Sequence, residues 1–67
     1  MIRVNGESSG VASGERVADV LGLLGLEADA RGIAVAVDGE VVPRSQWSTF
    51  RLGPDARVEV LTAMQGG

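Results

Sequence analysis

The chain has no cysteine, no histidine, no lysine and no tyrosine. Without cysteine no disulfide can brace the fold. Without Cys or His the usual ligands of a structural zinc are missing too. Imidazole, thiol and phenol are the groups most often used for acid–base and nucleophilic chemistry, so no catalytic constellation is in sight. Aromatics are scarce as well, with one Phe and one Trp. Nucleic-acid binders usually combine a basic patch with stacking rings. Here the six basic residues are all arginine, and Arg3, Arg16, Arg31, Arg44, Arg51 and Arg57 are spread singly. Nucleic acid is therefore excluded as the main partner. No apolar run approaches the roughly 20 residues of a membrane span, and Met1 leads straight into a strand-like run without a signal-peptide pattern. A cytoplasmic location is the expectation.

What is present is short and aliphatic. Sixty-seven residues make a single domain, and one this small buries only about 60% of its unfolded surface. Regular secondary structure around a core of Val, Leu and Ile must hold it. The net charge of −3 favours a partner of basic character, chiefly through encounter rate.

Ile2-Arg3-Val4 alternates as a half-buried strand, and Asn5-Gly6 follows as a hairpin turn, because a type I′ turn needs positive φ at both central residues. The returning strand, somewhere within Glu7 to Ser13, is weak, with Val11 as its core residue. Val17, Val20, Leu21 and Leu24 then fall at i, i+3, i+4 and i+7, one face of a helix. Asp19 suits its positive end, although neither Ser13 nor Glu15 is a clean N-cap. Gly25-Leu26 reads as a stop, a left-handed C′ glycine followed by an apolar residue that folds back. Gly22 inside the helix implies either a close neighbour above it or a soft helix. Glu27 to Gly32 is a polar connection. Ile33 to Val37 is a strand, Asp38-Gly39 a second hairpin turn, and Glu40-Val41-Val42 the return, ended by Pro43. Residues 43–47 form a turn or short helical turn, with Trp47 as a lid on the core. Phe50 and Leu52 add apolar contacts, Gly53-Pro54-Asp55 turns again, and Arg57 begins the last strand.

Ile33, Val35 and Val37 share one strand face, assigned to the core, while Ala34 and Ala36 share the other. In the last strand Val58 and Val60 point one way, Glu59 and Leu61 the other. One helix across one face of a mostly antiparallel sheet is the simplest layering. The two hairpins then leave the last strand central, beside the first and parallel to it. This is an α+β, ubiquitin-like β-grasp with a mixed sheet of four to five strands and one main helix. The division expected is a domain over residues 1–62 and a flexible diglycine tail over 63–67.

That tail is Met64-Gln65-Gly66-Gly67 after one alanine. Two glycines in succession suit a channel too narrow for side chains. From Thr62 to Gly67 an extended chain reaches roughly 20 Å at about 3.3 Å per residue, far enough to carry a carboxylate into another protein. A frayed terminus is the other reading of the same residues.

The run Ala34-Val35-Ala36-Val37-Asp38-Gly39-Glu40-Val41-Val42-Pro43-Arg44-Ser45-Gln46-Trp47 resembles the ThiS family, the sulfur carriers of thiamin thiazole synthesis. So do Arg57-Val58-Glu59-Val60-Leu61-Thr62, the closing Gln65-Gly66-Gly67 and the helix stretch Val17-Ala18-Asp19-Val20-Leu21. One departure is Arg16, where family members often carry Thr or Ser just before the helix. The resemblance implies a protein cosubstrate and not an enzyme. A ThiF-type adenylating enzyme would use ATP to adenylate the Gly67 carboxylate. A sulfur donor such as a cysteine desulfurase would supply the sulfur for a thiocarboxylate, and a ThiG-type thiazole synthase would take it. No cofactor and no metal would be bound by the carrier itself, which would be a monomer when free.

The residues agree with that chemistry. A terminal carboxylate ionises near pH 3.3–3.7, so at neutral pH it is a poor electrophile until joined to AMP. Gly66 supplies slimness, and Gln65 and Met64 are docking contacts for the entering tail. Ala34, Ala36 and Leu61 would form a small apolar patch beside the tail's exit, the face for partner proteins. The alanines are equally readable as tolerated surface, and Arg44 as a partner contact or a cap on its own loop. Other outlets for the same carrier chemistry are the small subunit of molybdopterin synthase, tRNA thiolation and cysteine synthesis. A ubiquitin-like modifier and a plain binding module remain as different classes.

Overall fold

A computed structural model describes residues 1–26 and 32–62. The elements are strands β1 (Arg3–Val4) and β2 (Glu7–Ser8), helix α1 (Val17–Leu23) and strands β3 (Ile33–Val37) and β4 (Glu40–Val42). A 3-10 turn over Arg44–Gln46 and strand β5 (Arg57–Thr62) complete them. Of the expected connection from Glu27 to Gly32, residues 27–31 lie outside the described residues, and Gly32 has φ 75°. The sheet order is β2-β1-β5-β3-β4. Strand β5 runs parallel to β1 and antiparallel to β3, so the expected mixed β-grasp sheet is present with five strands.

Both hairpins turn as their Asx-Gly pairs predict. Asn5 and Gly6 have φ of 52° and 83°, Asp38 and Gly39 52° and 86°, the positive-φ pairs of type I′ turns. The second strand is only two residues long: the Ser9 hydroxyl donates to the Ile2 carbonyl at 2.9 Å, Gly10 has no side chain to pack, and Val11 re-enters the core.

The core lies on the face of the sheet that carries the helix. Val17, Val20 and Leu21 from α1 are buried with Ile2, Val35, Val37, Val42, Val58 and Val60 from the sheet side. Trp47, Leu52 and Ala56 join them from the long connection. Trp47 is the lid expected from sequence, and its indole N–H donates to the Val42 carbonyl at 2.9 Å. The Arg44 guanidinium stands 4.8 Å above its ring, which answers one side of the Arg44 question with a cation–π contact inside the chain.

Two details of the helix differ from expectation. Leu24 is 44% exposed instead of closing the apolar face. The helix ends at Leu23, and Gly25 takes φ 75°. The Leu26 N–H donates to the Leu21 carbonyl at 2.8 Å and the Gly25 N–H to Gly22 at 3.1 Å, a complete Schellman closure. Leu26 thereby folds back onto the core in place of Leu24. Gly22 has nothing within 4 Å of a built Cβ among the described residues, so no neighbour requires it.

The helix start is capped from a distance. Arg16 stands at the N-cap position, and its side chain has no acceptor. Only the reverse half of a capping box forms, with Asp19 Oδ2 accepting from the Arg16 N–H at 2.8 Å. The first helical donors are satisfied by carbonyls some 30 positions on: Val17 N–H by Phe50 at 3.1 Å and Ala18 N–H by Trp47 at 2.9 Å. The loop over 47–52 thus does the work of a capping side chain.

Two substitutions check this packing by urea unfolding. Leu21→Ala, at a fully buried position, is expected to cost about 2–5 kcal/mol. Gly22→Ala is expected to stabilise by roughly 0.5–1 kcal/mol, since its added methyl enters open space.

Candidate functional site

Alternation along β5 makes the site. Val58 and Val60 are buried, and Arg57, Glu59 and Leu61 are exposed on the opposite face. Register then decides which neighbours they meet. Leu61 lies opposite Ala34, and Ala36 lies between Glu59 on one side and Val41 on the other. The three residues expected to share a face, Ala34, Ala36 and Leu61, therefore do share one. Leu61 is 68% exposed and Ala34 exposed, while Ala36 is half-buried.

Val41, 75% exposed on the edge strand, extends the same patch and escaped the sequence reading. The signal was available. A two-residue turn at Asp38-Gly39 fixes the pairing of β3 with β4, and that pairing puts Val41 directly across from Ala36. Small alanines at the centre with larger aliphatics at either side make a shallow saddle that an apolar side chain can enter.

Met64, Gln65, Gly66 and Gly67 lie outside the described residues. The structure places the strand that leads to them. Strand β5 is fastened along both edges, partly by the side chains of the two hairpin turns. Asn5 Oδ1 accepts from the Val60 N–H at 2.8 Å, and the Asn5 N–H donates to the Val58 carbonyl at 2.8 Å. Across the sheet, Asp38 Oδ1 accepts from the Arg57 N–H at 3.0 Å, and the Asp38 N–H donates to the Arg57 carbonyl at 2.9 Å. The sequence marks Asn5 and Asp38 only as turn residues. Their bonds to β5 depend on which strand lies beside them, which no local pattern states.

Charges around the site are mostly solvated. The ammonium of Met1 lies 2.7 Å from Asp55 Oδ1. That hydrogen bond, with the attraction between the charges, holds the Asp55 carboxyl below the usual carboxylate range. The pair is fully exposed, so its effect on stability is small and screened by salt. Among the described residues no buried side-chain polar atom lacks a partner, and no three metal-ligating side chains cluster. No helix is long and apolar enough to cross a membrane. The geometry offers a clamped strand and, on the exposed face of the sheet, an apolar saddle.

Comparison with known proteins agrees with that outline. The profile of the ThiS family matches residues 2–67. A crystal structure of the thiamine biosynthesis protein ThiS from Geobacter metallireducens superposes with a TM-score of 0.73 at 29% identity, covering 98% of this chain and 97% of that one. A solution NMR structure of a thiamine biosynthesis protein from the same organism gives 0.74 at 30% identity, covering 98% and 86%. No curated protein matches the chain significantly.

Asn5→Gly tests the clamp on β5, because it keeps the left-handed turn and deletes only the acceptor. The expected result is a loss of about 0.5–1.5 kcal/mol with faster amide hydrogen exchange at Val60. Unchanged exchange there would mean the Asn5 side chain is dispensable.

Proposed function

The chain belongs to the ThiS family, and from that membership we propose that it serves as a sulfur carrier in thiamine biosynthesis, with Gly67 as the seat of the sulfur. The Gly67 carboxylate is adenylated with ATP by a ThiF-type activating enzyme. The terminal sulfur of a persulfide on a donor such as a cysteine desulfurase displaces AMP to give an acyl disulfide. A thiol reductant cleaves its sulfur–sulfur bond to leave the thiocarboxylate, and a ThiG-type thiazole synthase accepts that sulfur. ATP is the partner's substrate, and the carrier holds no cofactor of its own.

The observation that carries this reading is the whole-chain family match together with where β5 leads. A central strand, hydrogen-bonded on both sides, ends at Thr62, five residues before Gly67. Activation by adenylation answers the chemical need of the site. A carboxylate that is ionised at neutral pH resists attack, and AMP gives it a leaving group. Sulfur then enters by forming a carbon–sulfur bond as the carbon–oxygen bond to AMP breaks. Every acid, base and nucleophile for these steps comes from the partners, in keeping with a chain that has no cysteine, histidine or tyrosine. Gly66 leaves the entering segment slim, Gln65 and Met64 contact the partner's channel, and Ala34, Ala36 and Leu61 seat its surface.

Two experiments follow. Deleting Gly67 is expected to abolish adenylation by the ThiF-type enzyme while leaving the melting temperature within about a degree or two, as surface changes do. Continued labelling of the shortened chain from ATP would sink the assignment of Gly67. Ala36→Arg is expected to weaken binding of that enzyme more than it weakens the fold. A lower melting temperature with unaltered affinity would remove the sheet face from the interface.

A further inference from the structure

The two hairpin turns that fasten β5 are also chemically labile links. Asn5-Gly6 holds the one asparagine of the sequence, and Asp38-Gly39 its one Asp-Gly pair. Asparagine is among the thermolabile residues, most of all before glycine, which puts no Cβ in the way of ring closure. In that reaction the Gly6 nitrogen bonds to Asn5 Cγ as the Cγ–Nδ2 bond breaks, and ammonia leaves with the nitrogen's proton. Water then opens the cyclic imide at either carbonyl, giving an aspartyl or an isoaspartyl residue at position 5. No oxidant or reductant is needed. A carboxylate is a far poorer electrophile than an amide at neutral pH, so the Asn5 turn is the more reactive of the two.

The folded turn is shaped against this reaction. Closing the five-membered ring needs Cβ and the Gly6 nitrogen nearly eclipsed about the Asn5 Cα–C bond. Asn5 and Gly6 have φ of 52° and 83°, and a type I′ turn has ψ of about +30° at its first central residue. At that ψ the Cβ of an L-residue stands nearly anti to the next nitrogen. The side chain is occupied as well, since Oδ1 accepts from the Val60 N–H at 2.8 Å. Swinging Cγ back over Gly6 breaks that bond, and rotating ψ to close the ring undoes the pairing of Val4 with Glu7. Asn5 and Gly6 are both exposed to water, so conformation and not burial protects the amide.

We propose that Asn5 is a deamidation site gated by the hold on β5. It is silent while the turn is closed, reacts when the first hairpin opens, and cannot close again once the isoaspartyl product has formed. An isoaspartyl link routes the backbone through Cβ and adds one atom to a two-residue turn whose register is set by Val4 and Glu7. The normal aspartyl product keeps an oxygen where Oδ1 stood and leaves the fastening intact. Strand β1 ends at Val4, and Asn5 carries the pairing of that edge on to Val60. Losing it loosens β5 shortly before the strand ends at Thr62. The site therefore marks, molecule by molecule, the chains that have let go of their central strand. It does not depend on the carrier reading.

The test follows deamidation of Asn5 by peptide mapping in the full-length chain at mildly alkaline pH, native and in enough urea to unfold it. An isoaspartyl-specific methyltransferase counts the rearranged product. Deamidation is expected to run at least about tenfold slower in the native chain, because only opened molecules react. Amide exchange at Val60 should quicken in the isolated isoaspartyl form and hold in Asn5→Asp, which separates the rerouted backbone from the change of charge. Equal rates with and without urea overturn the gating, and an Asn5 that stays intact in urea overturns the site. Unchanged Val60 protection in the isoaspartyl form shows the turn closing again and overturns its irreversible release.

Discussion

Strand β5 carries neighbours along both edges, and the remainder of the molecule is arranged to supply them. On one side β1 lies parallel, on the other β3 lies antiparallel, and where β1 stops at Val4 the Asn5 side chain continues the pairing to Val60. A strand held this way cannot shift by one residue without exchanging its two faces. Val58 and Val60 would then face water, and Glu59 and Leu61 would enter the core. Register is therefore locked by burial, and the apolar saddle follows from the same lock. Ala34, Ala36, Val41 and Leu61 share a surface because the valines beneath them share an interior.

The absence of any staple makes this interior matter more. A domain with no cysteine and no histidine rests on aliphatic burial and a closed hydrogen-bond ledger. Trp47 shows both at once, with its ring in the core and its N–H on the Val42 carbonyl. The loop it belongs to then supplies carbonyls to the start of the helix. Helix, loop and sheet are joined through this one residue's surroundings, which is why the segment after Pro43 cannot be treated as a mere connection.

Much of this was legible beforehand. Asn5-Gly6 and Asp38-Gly39 named the hairpins, alternation over Ile33 to Val37 named the inner and outer faces, and Gly25-Leu26 named the helix end. Hairpin pairing alone left β5 as the central strand. What stayed hidden needs contacts between distant residues. Arg16 offers no capping oxygen, and nothing in its neighbourhood announces that Phe50 and Trp47 provide one. Leu24 fits the helical period perfectly, yet the reversal at Gly25 hands its place to Leu26. Val41 joins the saddle only through its partner Ala36. Residues 63–67, where the chemistry is proposed, remain read from sequence and family membership.

The sheet order also has a temporal side. The element that bridges the two hairpins is the last of the described elements to be synthesised, and a lone two-stranded hairpin is marginal in water. Neither half can gain its principal neighbour until residues 57–62 exist, so the sheet closes late and through contacts between opposite ends of the chain, the slow kind of folding step. A nascent or truncated molecule lacking those residues has no completed sheet face to show. A partner that read this sheet face would meet it only in chains whose residues 57–62 have been made and paired.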